Sequence, residues 1–189
     1  VAATSATNLT AVGQNALGTT IDGHNCTAVG QNALGAGDCG NENTAVGREA
    51  LKVFTGSGAT VVGSGAADSA TSATNLTAVG YQALGACTDG LSNTAVGKDA
   101  LLFLTTGDYN TALGESAGYL TTGSSNTFVG RYAGVYASST DDCIAIGRSA
   151  LSGASGAGND VTGNYNIAVG NYALDATTSG SQNTAIGQN

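Results

Sequence analysis

A glycine preceded by Val, Leu or Ile returns along the chain at nearly fixed intervals. It stands at Gly13, Gly30, Gly47, Gly63, Gly80, Gly97, Gly114, Gly130, Gly147, Gly170 and Gly187. From one anchor to the next the numbering advances by 17, 17, 16, 17, 17, 17, 16, 17, 23 and 17. A period this short cannot hold a helix and its return. Each repeat must therefore be one small extended unit that buries its apolar side by stacking on its neighbours. A longer period overlies the first, since Ala3 to Gly13 (ATSATNLTAVG) recurs unchanged at Ala70 to Gly80, an offset of 67. Duplication of a four-repeat block explains it. The whole chain, 1–189, reads as one array.

The most complete form of the repeat is Asn93-Thr94-Ala95-Val96-Gly97, then two variable residues and Ala100-Leu101. The residue before the glycine is always branched and apolar, and the third before it is Thr nine times and Ile twice (Ile144, Ile167). These β-branched residues favour a strand. Side chains alternate across a strand, so Thr and Val share one face while Ala and Gly share the other. Exchange of Thr for Ile beside Val predicts that the Thr/Val face is interior. Ala three after the glycine, usually followed by Leu, predicts a second short strand or a bend. The remainder of each repeat is Gly, Ser, Thr, Asn and Asp, the composition of a turn. The expected fold is all-β, a parallel β-roll or β-solenoid of about eleven coils of about 17 residues, rising roughly 4.8 Å per coil.

Ala11, Ala28, Ala45, Ala78, Ala95, Ala112, Ala145, Ala168 and Ala185 then form a small uncharged stripe on the opposite face. An outward stripe of this kind would normally be polar, so burial against another chain is expected there, with a tight internal packing surface as the alternative. The short repeats ending at Gly63 and Gly130 carry Val61 and Phe128 in place of this Ala, which marks local repacking.

The motif Asn-Thr-Ala-Val-Gly-x-x-Ala-Leu resembles the Asn-Ser-Val-Ala-Ile-Gly-x-x-Ser repeat of YadA-type trimeric autotransporter adhesin heads. It is still more similar to the Asn-Thr-Ala-Val-Gly-x-x-Ala-Leu arrays of phage and algal-virus tail fibres. The resemblance spans essentially the whole chain. It implies a left-handed parallel β-roll, three chains about a common axis, and an extracellular, cell-surface or virion-borne fibre that contacts a host protein or glycan. The adhesin repeats are shorter than these, so the longer coils here imply larger outer loops.

Charge and composition narrow the partners. A net charge of −8, from 13 acidic and 5 basic residues, disfavours nucleic acid and anionic membranes, which need clustered Lys and Arg. No long apolar run suggests membrane insertion. No catalytic constellation emerges, because the single histidine, His24, and the three glutamates, Glu42, Glu49 and Glu115, are scattered; no enzymatic activity, cofactor or metal is expected. Cys26 and Cys143 occupy equivalent positions seven coils apart, roughly 34 Å, and cannot pair within one chain. Small part-buried thiols are expected, with bridges between chains or between Cys26 and Cys39 as alternatives. Asn8, Asn25 and Asn75 open glycosylation sequons that the repeat itself generates. The long step between Gly147 and Gly170 inserts a glycine-rich loop, and Asn159, Asp160 and Tyr165 there are the expected contact residues. Lys98, Glu115 and Arg131 are expected as an alternating ladder that pins register.

The functional expectation is a stiff structural fibre segment for surface attachment. A self-assembling extracellular filament is the first alternative. An ice-binding solenoid is the second, disfavoured by the interior placement expected for the Thr column.

Overall fold

A computed structural model describes residues 5–153 and 160–188. It is a β-solenoid without helices among the described residues. Eleven short strands follow in chain order: β1 Thr10–Val12, β2 Thr27–Val29, β3 Thr44–Val46, β4 Thr60–Val62, β5 Thr77–Val79, β6 Thr94–Val96, β7 Thr111–Leu113, β8 Thr127–Val129, β9 Ile144–Ile146, β10 Ile167–Val169 and β11 Thr184–Ile186. They form one parallel sheet in sequence order. Equivalent residues pair throughout, as in Ala78 opposite Ala95 and Ala95 opposite Ala112. Where a repeat is one residue short, the shortening is absorbed outside the strand: Ala45 still faces Val61.

Hydrogen bonds between coils extend well beyond the strands. The sixth coil illustrates this, with bonds from Thr94 N to Asn110 O (2.8 Å), Gly97 N to Val79 O (2.8 Å), Asp99 N to Tyr81 O (2.9 Å) and Leu101 N to Ala117 O (3.0 Å). Turns thus satisfy their backbone groups axially, which is how a chain with so thin a core avoids unpaired polar groups. The segment after the glycine is a turn rather than a second strand.

Three corners of the coil adopt left-handed backbone. They lie five residues before the glycine (Asn75, φ 55°), two after (Asp99, φ 56°) and four after (Leu101, φ 49°). A bulky residue in that region costs about 1–3 kcal/mol. Leu101 offsets this because its side chain is fully buried, a gain of about 1.5–3 kcal/mol. The glycine itself is confined further. At Gly97, φ is 140° and an added Cβ would collide with the carbonyl of Gly114 in the next coil.

The core corrects the expected faces. Ala28, Ala45, Ala78, Ala95, Ala112, Ala145 and Ala168 are fully buried inside the roll. Only Ala11 and Ala185, on β1 and β11, are exposed or partly so. The alanine stripe is therefore core and not an outer surface, while Thr and Val point outward. Volume explains the inversion. The buried Leu four residues after the glycine projects into the same space and leaves room only for a methyl group on the strand. Where the strand residue is larger, the Leu disappears: Val61 accompanies Ala67, and Phe128 accompanies Gly118 and Gly134. A Cβ on Gly118 would lie 2.7 Å from both the Phe128 ring and Leu101, and one on Gly134 would strike the ring too.

A second inward column is polar. The Asn four before the glycine is buried at Asn43, Asn93, Asn110, Asn126 and Asn166. Asn110 donates through Nδ2 to Gly123 O (2.9 Å), while Asn93 Oδ1 accepts from Asn110 N (2.8 Å) and Asn110 Oδ1 accepts from Asn126 N (3.0 Å). Coils that carry this Asn thereby read their neighbours.

Candidate functional site

Strand alternation turns the Thr and the Val, Leu or Ile of each rung outward, and parallel register lines them up as two columns. Val96 is 37% exposed and Ile146 41%, and Val62, Val79, Leu113, Ile144 and Ile167 are similarly open. Val29, Val46, Val129 and Val169 are half-buried. The strands contain only Thr, Ala, Val, Leu, Ile and Phe, so this face carries no charge in a chain whose net charge is −8. Three residues per strand and ten steps between eleven strands give a strip of roughly 10 by 50 Å, on the order of 500 Å². That is at the upper end for an exposed apolar patch on a monomer.

Polar side chains border the strip on both sides. Before the strands, Asn8 Nδ2 donates to Asn25 Oδ1 (2.9 Å). After the glycines, Gln31 Nε2 donates to Gln14 Oε1 (3.2 Å), and charged residues follow. Arg131 Nε meets Glu115 Oε2 at 3.0 Å across one coil step. Lys98 does not extend this ladder; its Nζ pairs with Asp99 at 2.8 Å in its own coil. Asp99 raises the Lys98 pKa by accepting its hydrogen bond. The guanidinium of Arg131 lies 4.4 Å from the centre of the Tyr132 ring, and that of Arg148 lies 4.7 Å from Tyr172. These tyrosines are thus covered by cations at the left-handed corner. Asp89 has its pKa held below the usual carboxylate range by hydroxyl donors from Ser72 and Thr71 of the preceding coil.

The remaining expected sites are dispersed. Asn8, Asn25 and Asn75 each sit at the left-handed corner that precedes a strand; Asn8 and Asn25 are exposed and so is Asn75. In the long step, Asn159 lies outside the described residues, Asp160 is half-buried, and Tyr165 is 57% exposed. Tyr109 occupies the same turn position three coils earlier and is 61% exposed. Tyr109 and Tyr81 are not among the contacts expected from sequence, although both occupy variable positions beside the repeat motif.

All four cysteines are buried thiols. Burial raises the pKa of Cys87 to about 11 and also raises that of Cys143. Cys26 and Cys39 differ, with their sulfurs 3.1 Å apart. Among the described residues there is no ligand-sized cavity and no cluster of three metal-ligating side chains. No helix among them is long and apolar enough to cross a membrane. Comparison with protein-family models, curated proteins and solved structures gives no match.

Proposed function

We propose that this chain is a structural segment of an extracellular fibre, the head or shaft of an adhesin or a viral tail fibre, in which three copies pack through their Thr/Val faces. The observation that supports it is the uncharged outward strip of mostly β-branched side chains with polar borders. An apolar centre and a polar rim are the anatomy of a protein interface. The strip supplies over half of the roughly 800 Å² per partner of a standard interface, and the turns beside it supply the rest. The likeness of the repeat motif to those of trimeric fibres is the ground for proposing three chains. Recognition of a host protein or glycan falls to the variable turns, where Tyr109 and Tyr165 project. The mass of the chain in solution tests assembly: about three times 18.2 kDa is expected, and a stable monomer at micromolar concentration would overturn it.

A second reading is favoured by the same face. With Thr outward, hydroxyl and methyl groups repeat on a flat sheet at a spacing near 4.8 Å, close to the oxygen repeat along one axis of ice. Such an array can hold water in a lattice-like order and so bind an ice surface. The interior placement that counted against this reading does not hold. A monomer showing thermal hysteresis that is lost on replacing Thr77, Thr94 and Thr111 with Tyr would select it over the fibre. A monomer with no hysteresis would remove it.

A further inference from the structure

Cys39 is out of step with its repeat. The equivalent turn residue of the preceding coil, Asp22, is exposed, as is Thr55 in the following one, whereas Cys39 is buried. Two residues earlier, Gly37 brings no side chain into the roll. At that level of the roll other coils place an inward side chain, Thr20, Phe54 or Leu104. Turned inward, the Cys39 sulfur lies 3.3 Å from Thr20 Oγ1 and 3.1 Å from the Cys26 sulfur. Cys26 stands where other coils bear the ladder asparagine, and its thiol points to Gly40 O at 3.1 Å. The two thiols thus meet between consecutive turns, and the segment that separates them makes up most of one coil.

We propose that Cys26 and Cys39 are an oxidation site, joined as an intramolecular disulfide when the chain meets a small disulfide oxidant such as oxidised glutathione. The bridge closes one coil into a covalent ring and ties its strand to the turn of the next. In the closed roll the S–H of Cys39 donates to the Cys26 sulfur, which lowers the Cys26 pKa and raises that of Cys39. Once the coil opens that bond is gone and either thiol can attack first; with Cys26 leading, the mixed disulfide forms there. The Cys26 thiol loses its proton and attacks one sulfur of the oxidant. The oxidant S–S bond breaks, one small thiolate leaves and takes a proton, and a mixed disulfide remains on Cys26. Cys39 then loses its proton and attacks the Cys26 sulfur, expelling the second small thiol. Two S–H groups become one S–S bond, and the oxidant gains two electrons and two protons. Both sulfurs are buried, so exchange proceeds while the second coil is open, before it closes in folding or during a local opening. Cys87 and Cys143 have no thiol within reach and take no part.

The test uses the unaltered chain. After incubation in a glutathione redox buffer, it is quenched in acid, unfolded and alkylated, and its intact mass and linked peptides are measured. Alkylation of only two cysteines is expected, with one linked pair of peptides containing Cys26 and Cys39. A reductant should lower the Tm of the oxidised chain by several degrees and leave Cys39→Ala unmoved. Cys87→Ala and Cys143→Ala should retain the bridge. Four alkylated cysteines under every oxidising ratio, a link that includes Cys87 or Cys143, or a covalent dimer would each overturn the proposal.

Discussion

The exchange of volume around Phe128 is where single residues decide the fold. In most coils a strand Ala and a corner Leu share the interior, and at Phe128 one ring occupies the space of both, with Gly118 and Gly134 giving way. Phe128→Ala should lower stability by about 3–5 kcal/mol, because neither glycine can fill the cavity. Adding Gly118→Leu and Gly134→Leu restores the pattern of the neighbouring coils and should recover part of that loss, measured as urea midpoints of the single and combined variants. The backbone permits the exchange, since both glycines hold φ 61°, a conformation in which Leu101 already sits at 49°. Thr121 makes the opposite case. Its hydroxyl is buried without a partner, and Val161 fills the corresponding place two coils on. Thr121→Val removes a desolvated polar group and should stabilise by about 1 kcal/mol, seen as a rise in Tm.

At the scale of the coil, the polar ladder specifies register more strongly than the surface charges. Asn110 accepts from Asn126 N, donates to Gly123 O and reaches Asn93 Oδ1 at 3.2 Å, all inside the roll. Asn110→Ala leaves those groups unpaired and should cost about 1–3 kcal/mol, with hydrogen exchange rising at the Asn126 amide, which loses its acceptor, before it rises elsewhere. The Arg131–Glu115 pair is half open to water, at 54% and 42% exposed side chain, so Glu115→Gln should change stability by less than about 1 kcal/mol. The sequence did carry a sign of the ladder. Leu9, Cys26, Ala59, Leu76 and Cys143 replace this Asn in other copies, and a position that tolerates Leu, Cys and Ala is as well marked for the interior as one that exchanges Thr with Ile. The fourth position before the glycine lies on the same face as the strand Ala, so weighing it would have placed both faces correctly.

For the whole molecule, the outward strip is the surface on which the functional proposals turn. Val79→Lys with Val96→Lys puts two cations at its centre without touching the core. Sedimentation should then show at least a tenfold loss of self-association, while circular dichroism of the separated chain remains that of the parent. Lys98→Asp, on the border, should leave assembly within a factor of about three. Unaltered assembly in the Val pair would place the interface elsewhere. Stability in such a stack is the sum of coils and their contacts, so a defect such as Phe128→Ala should first loosen coils seven to nine, leaving β2 to β4 protected. The ring closed by Cys26 and Cys39 would guard the other half.

Periodicity alone determined the one-dimensional stack, the coil length, the strand in every repeat and the axial register, because a repeat of about 17 residues can bury its apolar atoms only against its own copies. The residues of the outward site were legible as two columns of the motif. Their direction was not legible in the strand triplet itself, because alternation separates two faces without saying which is inside and β-branched residues favour a strand on either one; only the Leu, Cys and Ala at the fourth position before the glycine pointed to it. That was settled by volume in three dimensions: the Leu at a left-handed corner folds back over the strand, claims the interior, and leaves Ala as the residue that fits beneath it, with Thr and Val turned outward.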